Sequence, residues 1–136
     1  MKKILVPLMA IILILALAAC SSNKLASSFD KDKVVSRAEG LVQTVNTFDY
    51  GTVVSALRKD LQTQLTADTL EASWGSQLKA AGNFVEFSSE AVYGTKDKST
   101  GESYAVAILV CKYENATLTY TISMNSNLEI VGLYMK

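Results

Sequence analysis

The spacing of apolar residues changes at one point in this chain of 136 residues, at Gly82. Before Gly82, apolar residues recur every three or four positions, which is the spacing of one face of an α-helix. After Gly82 they recur at every second position, as expected of a β-strand with one buried face. Because the helical segments precede the strands, the pattern predicts an α+β fold in which helices and sheet form separate layers.

Three helices are predicted before Gly82. The first begins after Asp30 or Asp32, either of which can cap it, and a shorter second helix begins after Asp49. The third begins at Thr66, and Gly82 is placed to end it in a left-handed conformation. The apolar face of the first helix comprises Val34, Ala38, Leu41, Val42, Val45 and Phe48.

Four strands are predicted after Gly82, over residues 84–93, 104–113, 117–124 and 128–136. The short turns between them make neighbours antiparallel, so we expect three N-terminal helices packed on a curved four-stranded antiparallel sheet. The second strand is apolar on both faces from Tyr104 to Val110 and needs cover on both sides. The helices supply one cover. A bent sheet, the first helix or a second copy of the chain supplies the other, and burial in the core is favoured over a homodimer through the sheet.

The first twenty residues are typical of a bacterial lipoprotein signal peptide. A basic start, Met1-Lys2-Lys3, precedes an apolar stretch, and Leu17-Ala18-Ala19-Cys20 follows as a lipobox. The apolar stretch 4–19 is shorter than the roughly 20 residues that span a bilayer, which disfavours a permanent transmembrane helix. Resemblance to bacterial lipoproteins implies that cleavage precedes Cys20 and that its sulfur is acylated.

This assignment divides the chain into a signal peptide (1–19), a lipidated flexible tether (20–28) and a single α+β domain (29–136). The expected location is the extracytoplasmic face of the cell membrane, with membrane lipid as a partner through Cys20. Removing Lys2 and Lys3 leaves 11 basic against 13 acidic residues. Such a balance does not suit nucleic acid, and no run of basic residues is present to bind anionic head groups. Anchoring is therefore expected to depend on Cys20.

The chain contains no histidine, which excludes Ser-His-Asp and Cys-His nucleophiles and imidazole metal sites. Cys111 is the remaining thiol and lies in an apolar run, so we interpret it as a buried structural residue. Asp30 and Asp32 lack the later ligands of a calcium loop, and helix capping explains them better. Since no phosphate-binding or dinucleotide-binding glycine motif occurs either, no cofactor and no metal is predicted.

Two groups of side chains remain as candidates for a site. Glu86 and Glu90 would lie roughly 13 Å apart on an extended strand, which is too far for a retaining glycosidase pair. Trp74 has small neighbours and either anchors the third helix to the sheet or lines a ligand pocket. In the second case, the candidate pocket consists of Trp74, Tyr93, Tyr120 and Glu86.

Four short motifs carry a resemblance to a known family. They are Phe48-Asp49-Tyr50, the stretch 65–70 leading to Trp74, Gly82-Asn83-Phe84, and the closing stretch 125–134. Together they resemble the domain of unknown function numbered 3887, within the nuclear transport factor 2-like (cystatin-like) superfamily. The resemblance implies a cone-like arrangement of helices on a curved sheet. Some superfamily relatives are isomerases that use an acid and a tyrosine, which Glu86 with Tyr93 or Tyr120 could imitate.

Two functions remain open. The favoured one is a membrane-anchored extracytoplasmic lipoprotein whose non-catalytic domain binds a small apolar ligand or a protein partner. The alternative is a small isomerase-like or hydrolase-like pocket enzyme that uses a buried carboxylate and a tyrosine. A filled apolar interior would favour the first function, and a wet pocket with an isolated glutamate would favour the second.

Overall fold

The computed structural model describes residues 24–136, so the predicted signal peptide and Cys20 lie outside the described residues. Three helices precede a four-stranded antiparallel sheet, which confirms the α+β prediction. The helices are α1 (Lys31–Asn46), α2 (Tyr50–Ser55) and α3 (Ala67–Ala81), with a short 3₁₀ turn at Lys59–Leu61. The strands are β1 (Phe84–Lys96), β2 (Ser103–Tyr113), β3 (Thr117–Met124) and β4 (Ile130–Met135).

All three helices begin at the residues whose chemistry predicts a cap. The Asp30 carboxylate accepts hydrogen bonds from the backbone N–H groups of Asp32 and Lys33, at 2.9 and 3.3 Å. Asp49 caps α2 in the same way, and the Thr66 hydroxyl caps α3 through an N–H at 3.2 Å. Each cap satisfies a backbone donor that has no partner within its own helix.

Two residues differ from their predicted roles. Phe48 lies beyond the end of α1, has a φ of 61° and is 45% exposed, so its assignment to the apolar face of the helix was wrong. Gly82 ends α3 with a positive φ of 80°, but its ψ of −157° is not that of the left-handed helix. That combination is available essentially to glycine alone.

The sheet has the order β1-β2-β3-β4. β1 and β2 pair as far as Lys96 and Ser103, so both strands extend beyond their predicted bounds of 84–93 and 104–113. Met124 pairs with Ala105 and with Ile130, which places the β3–β4 turn at the same end of the sheet. We call this the hairpin end, and the opposite end, where Lys112 pairs with Thr117, the far end.

The helices cover one face of the sheet. Ala105, Ala107, Leu109 and Cys111 point from β2 into the common core. The opposite face of β2 is closed only near the hairpin end, where Tyr104 and Val106 are buried, whereas Ile108 and Val110 are half-buried. Burial of β2 on both faces is thus confirmed for its first half.

The chain before α1 lies against β1. Leu25 and Ala26 pack on the core, Phe29 is buried, and its N–H donates to the Ala26 carbonyl at 3.0 Å. A Cβ at Gly94 would stand 2.3 Å from the Lys24 carbonyl oxygen, so only glycine allows this approach. The described part of the predicted tether therefore contacts the domain. Among residues 24–136, no helix combines the length and apolar character needed to cross a membrane.

Candidate functional site

A group of aromatic side chains fills the space between the helices and the sheet. Trp74 from α3 meets Tyr120 from β3 edge to face, with ring centroids 6.3 Å apart and planes at 85°. Trp74 is 5% exposed and Tyr120 is fully buried. Edge-to-face contact aligns the positive ring edge with the negative ring face, and so fixes α3 on the sheet.

A chain of hydrogen bonds runs through this interior. The Tyr113 hydroxyl donates to the Asn46 side-chain oxygen, and it lies 2.8 Å from the Tyr120 hydroxyl. Because each phenol has one proton, Tyr120 donates to Tyr113, which donates to Asn46 at the end of α1. We call these three residues the hydroxyl relay. It joins the last turn of α1 to two neighbouring strands.

Burial keeps the hydroxyl relay neutral. Loss of solvation raises the pKa of Tyr113 to about 12, and it raises the pKa of Tyr120 well above its ordinary value. A phenol that stays protonated can donate a hydrogen bond, but it cannot serve as a base near neutral pH. The relay is therefore suited to holding α1 on the sheet.

Tyr50 has a different environment. It is 6% exposed, and its hydroxyl is buried without a hydrogen-bond partner among the described residues. A Cβ at Gly75 would lie 3.9 Å from that hydroxyl, which places the ring against the small residue of α3. Burial, followed by the charge of Glu71, raises the pKa of Tyr50. An unpartnered hydroxyl of this kind costs stability.

Cys111 is a structural thiol. It is fully buried on the helix-covered face of β2 and has no disulfide partner within the described chain. Burial, with a smaller contribution from the charge of Glu39, raises its pKa to about 12. The thiolate that would make it reactive is thus strongly disfavoured, in agreement with its predicted role.

The four predicted pocket residues lie in three places. Trp74 and Tyr120 are in contact in the interior. Tyr93 pairs with Val106 and Tyr120 with Leu109; positions 106 and 109 point to opposite faces of β2, so the two tyrosines do as well. Glu86 is exposed opposite Lys112, about 20 Å along the sheet from the row of Tyr93. The structure therefore does not bring a carboxylate and a tyrosine together here.

Sequence reasoning missed the hydroxyl relay and the Tyr50 hydroxyl. Tyr113 stood at the end of a predicted strand and Asn46 at the end of a predicted helix, each with an adequate local role. The two residues are 67 positions apart in the sequence, and only the fold brings their side chains within hydrogen-bonding distance. The one indication available from the sequence was that Tyr113 places a hydroxyl at an apolar strand position, where a buried hydroxyl needs a hydrogen-bond partner.

The surface outside the aromatic interior carries an open, charged depression on α1. Within residues 24–136, no group of three or more histidine, cysteine, aspartate or glutamate side chains could hold a metal ion. An open depression of about 640 Å³ lies on α1 and extends to Leu128, whose carbonyl accepts a hydrogen bond from Arg37 Nε at 3.2 Å. Its charged rim comprises Asp30, Asp32, Lys33 and Arg37.

Comparison with known proteins gave two matches. The family described as "Protein of unknown function (DUF3887)" matches residues 38–133. The NMR structure of a protein from Ruminococcus gnavus ATCC 29149 is similar to this chain, with a TM-score of 0.75 and 27% sequence identity. The similarity covers 84% of this chain and 97% of that one. No curated protein matches the chain.

Proposed function

The chain belongs to the DUF3887 family, and on that premise we propose that it is a lipoprotein held on the extracytoplasmic face of the membrane by acylated Cys20. Its folded domain acts as a non-catalytic binding or accessory module. The domain would bind a small apolar ligand or present a surface to a protein partner.

The filled interior is the observation that carries the non-catalytic part of this proposal. Trp74, Tyr113 and Tyr120 fill the space between the helices and the sheet. Trp74 contacts Tyr120 edge to face, and Tyr113 and Tyr120 are hydrogen-bonded to each other. Their hydroxyls are held neutral by burial. The enzymatic alternative needs Glu86 beside a tyrosine, whereas Glu86 is exposed on β1. The geometry therefore favours a binding or accessory role.

The finer assignment of the fold is also a proposal. We infer a nuclear transport factor 2-like arrangement because three helices cover one face of a four-stranded antiparallel sheet. In this chain the enclosed space is packed with aromatic rings. An apolar ligand would then have to displace a side chain or use the half-covered face of the sheet.

The anchor is tested by growing cells that express the protein with a labelled fatty acid. Wild-type protein should take up the label, and Cys20→Ala should not, because the acceptor sulfur is gone. The matched control is Cys111→Ala, which removes the other cysteine and should leave labelling unchanged. Label in Cys20→Ala would contradict the anchor.

The binding role is tested by capturing the acylated protein from native membranes and identifying co-purified proteins and small molecules by mass spectrometry. The same protein or small molecule should co-purify with wild type and with Glu86→Gln, because Glu86 plays no part in a non-catalytic role. Turnover of a co-purified small molecule that is lost in Glu86→Gln would contradict the proposal and revive the enzyme.

A further inference from the structure

The start of the folded domain limits where the lipid anchor can be. Lys24 lies against Gly94, which is two residues before the end of β1. Cys20 is four residues earlier, and four residues of chain reach at most about 14 Å. An acyl group on Cys20 therefore holds the bilayer within that distance of Lys24, whatever path the intervening residues take.

Most basic residues of the domain lie at the hairpin end. Lys96 pairs with Ser103 at this end, and Lys98 lies in the loop between them. The hydrogen bond from the Arg58 N–H to the Ile130 carbonyl places the 3₁₀ turn at the same end. The hydrogen bond from Arg37 Nε to the Leu128 carbonyl places the first half of α1 at the hairpin end as well. The basic residues at this end are Lys24, Lys31, Lys33, Arg37, Arg58, Lys59, Lys96 and Lys98. The three remaining ones, Lys79, Lys112 and Lys136, belong to elements that end at the far end.

The acidic residues at the hairpin end are largely engaged by their own surroundings. Asp30 caps α1, and the Asp97 carboxylate accepts from the Ser99 N–H at 2.8 Å. Asp60 pairs with Arg58, Glu102 accepts from the Tyr104 hydroxyl at 2.9 Å, and Glu129 accepts from the Asn125 amide at 3.0 Å. Asp32 is the sixth.

The lysines are not engaged in this way. Both ion pairs found within residues 24–136 use Arg58, so none of the six lysines at the hairpin end has a carboxylate partner there. All six are exposed. We call Lys24, Lys31, Lys33, Lys59, Lys96 and Lys98 the lysine ring. These six residues lie at the end of the domain where the described chain begins at Lys24.

We propose that the hairpin end faces the bilayer and that the lysine ring contacts the head groups of anionic phospholipids. This inference rests on the lipid anchor proposed above and adds the face of the domain that the anchor brings to the membrane. Six exposed ammonium groups, which form no ion pair among the described residues, complement a negative lipid surface. A basic patch next to an acyl chain supplies a second, reversible membrane contact. No run of basic residues exists in the sequence; the fold collects them from positions 24 to 98.

Amine labelling tests the orientation with an internal control. The acylated protein, cleaved before Cys20, is placed in vesicles of phosphatidylcholine with phosphatidylglycerol. It is then treated with an amine-acetylating reagent and digested for mass spectrometry. Labelling of the lysine ring should fall by about threefold or more relative to protein in neutral detergent. Labelling of Lys79, Lys112 and Lys136 should change little. In phosphatidylcholine alone, or at about 0.5 M salt, the protection should weaken, because screening removes head-group attraction.

Two variant pairs sharpen the test. Lys96→Gln with Lys98→Gln should reduce the anionic-lipid protection of the four remaining ring lysines, whereas Lys112→Gln with Lys136→Gln should leave it unchanged. Equal labelling of ring and far-end lysines on vesicles, or protection of the far end instead, would overturn the orientation while leaving the anchor intact. Failure of the protein to float with either kind of vesicle would overturn the anchor and the orientation together.

Discussion

Phe48 shows at the scale of one residue how local spacing can mislead. It stands three positions after Val45, which is helical spacing, yet α1 ends at Asn46 and Phe48 takes a φ of 61° in the connection to α2. A bulky residue is strained in that region, and its ring is largely outside the core. The apolar pattern could not reveal this, because helix termination depends on backbone geometry beyond the pattern.

Replacing Phe48 by glycine should therefore stabilise the domain. The φ strain disappears and little apolar burial is lost, so the free energy of unfolding should rise by up to about 1 kcal/mol. Urea denaturation followed by circular dichroism measures the change. Phe48→Ala is the matched control, since it removes the ring but keeps the strain and should not gain stability. A loss of stability in Phe48→Gly would show that the ring contributes packing.

The interior hydroxyls give a second prediction at the same scale. Tyr113→Phe leaves the Asn46 oxygen and the Tyr120 hydroxyl without their shared partner, and should cost about 1–3 kcal/mol of unfolding free energy. Tyr50→Phe removes a hydroxyl that has no hydrogen-bond partner among residues 24–136, so it should be neutral or stabilising. Both variants keep the aromatic ring and can be compared by the same denaturation experiment. Equal losses in both would mean that Tyr50 does have a partner.

At the scale of elements, the three helix starts followed from sequence, because capping depends on residues only two or three positions apart. The extent of β1 and β2 did not. Residues 94–103 are polar, but Asp97 organises a tight turn and leaves Lys96 and Ser103 free to pair. Pairing across a hairpin is decided by both strands at once, so composition underestimated the strand length.

Gly94 tests the attachment of the segment before α1. In Gly94→Ala, the new methyl would clash with backbone atoms of Lys24 and Leu25, so residues 24–29 should detach. We expect the unfolding free energy to fall by about 2 kcal/mol as Phe29 loses its burial. Hydrogen exchange should show lost amide protection at the Phe29 N–H.

Gly40→Ala serves as the control for Gly94→Ala. A Cβ at Gly40 would have no atom of the described chain within 4 Å, and alanine favours the interior of a helix. The unfolding free energy of this variant should therefore rise by about 0.5–1 kcal/mol. Undiminished stability of Gly94→Ala would show that the segment before α1 does not pack against β1.

At the scale of the whole molecule, the grouping of charges was hidden from sequence analysis. The lysine ring is spread over 75 positions of the chain, from 24 to 98, and only the fold brings it together. The candidate pocket had the opposite outcome, since only Trp74 and Tyr120 of its four predicted residues are in contact. In both cases the deciding contacts are long-range, which periodicity and local motifs do not encode.

The pH dependence of stability is also a property of the whole molecule. The chain has no histidine, so stability should be nearly flat between about pH 5.5 and 8. The pKa values of Cys111 and Tyr113 are raised to about 12 in the folded state. The unfolded chain therefore loses these protons first, and the stabilisation present below about pH 8.5 is lost as pH rises toward 12.

Denaturation curves at pH 8 and pH 10.5 measure this loss. Tyr113→Phe lacks one of the ionising groups and should lose less stability than wild type over the same interval. An unchanged midpoint between the two pH values would contradict the burial of these groups.

The edge-to-face contact of Trp74 with Tyr120 has a spectroscopic consequence. Trp74 is the one tryptophan in the chain, so ultraviolet emission excited at long wavelength comes from a single place, the junction of α3 with β3. Its dry surroundings give blue-shifted light, and water reaching the indole would shift it to the red. A ligand that separates α3 from the sheet would therefore be detected as a red shift of the intrinsic tryptophan emission, without any added dye.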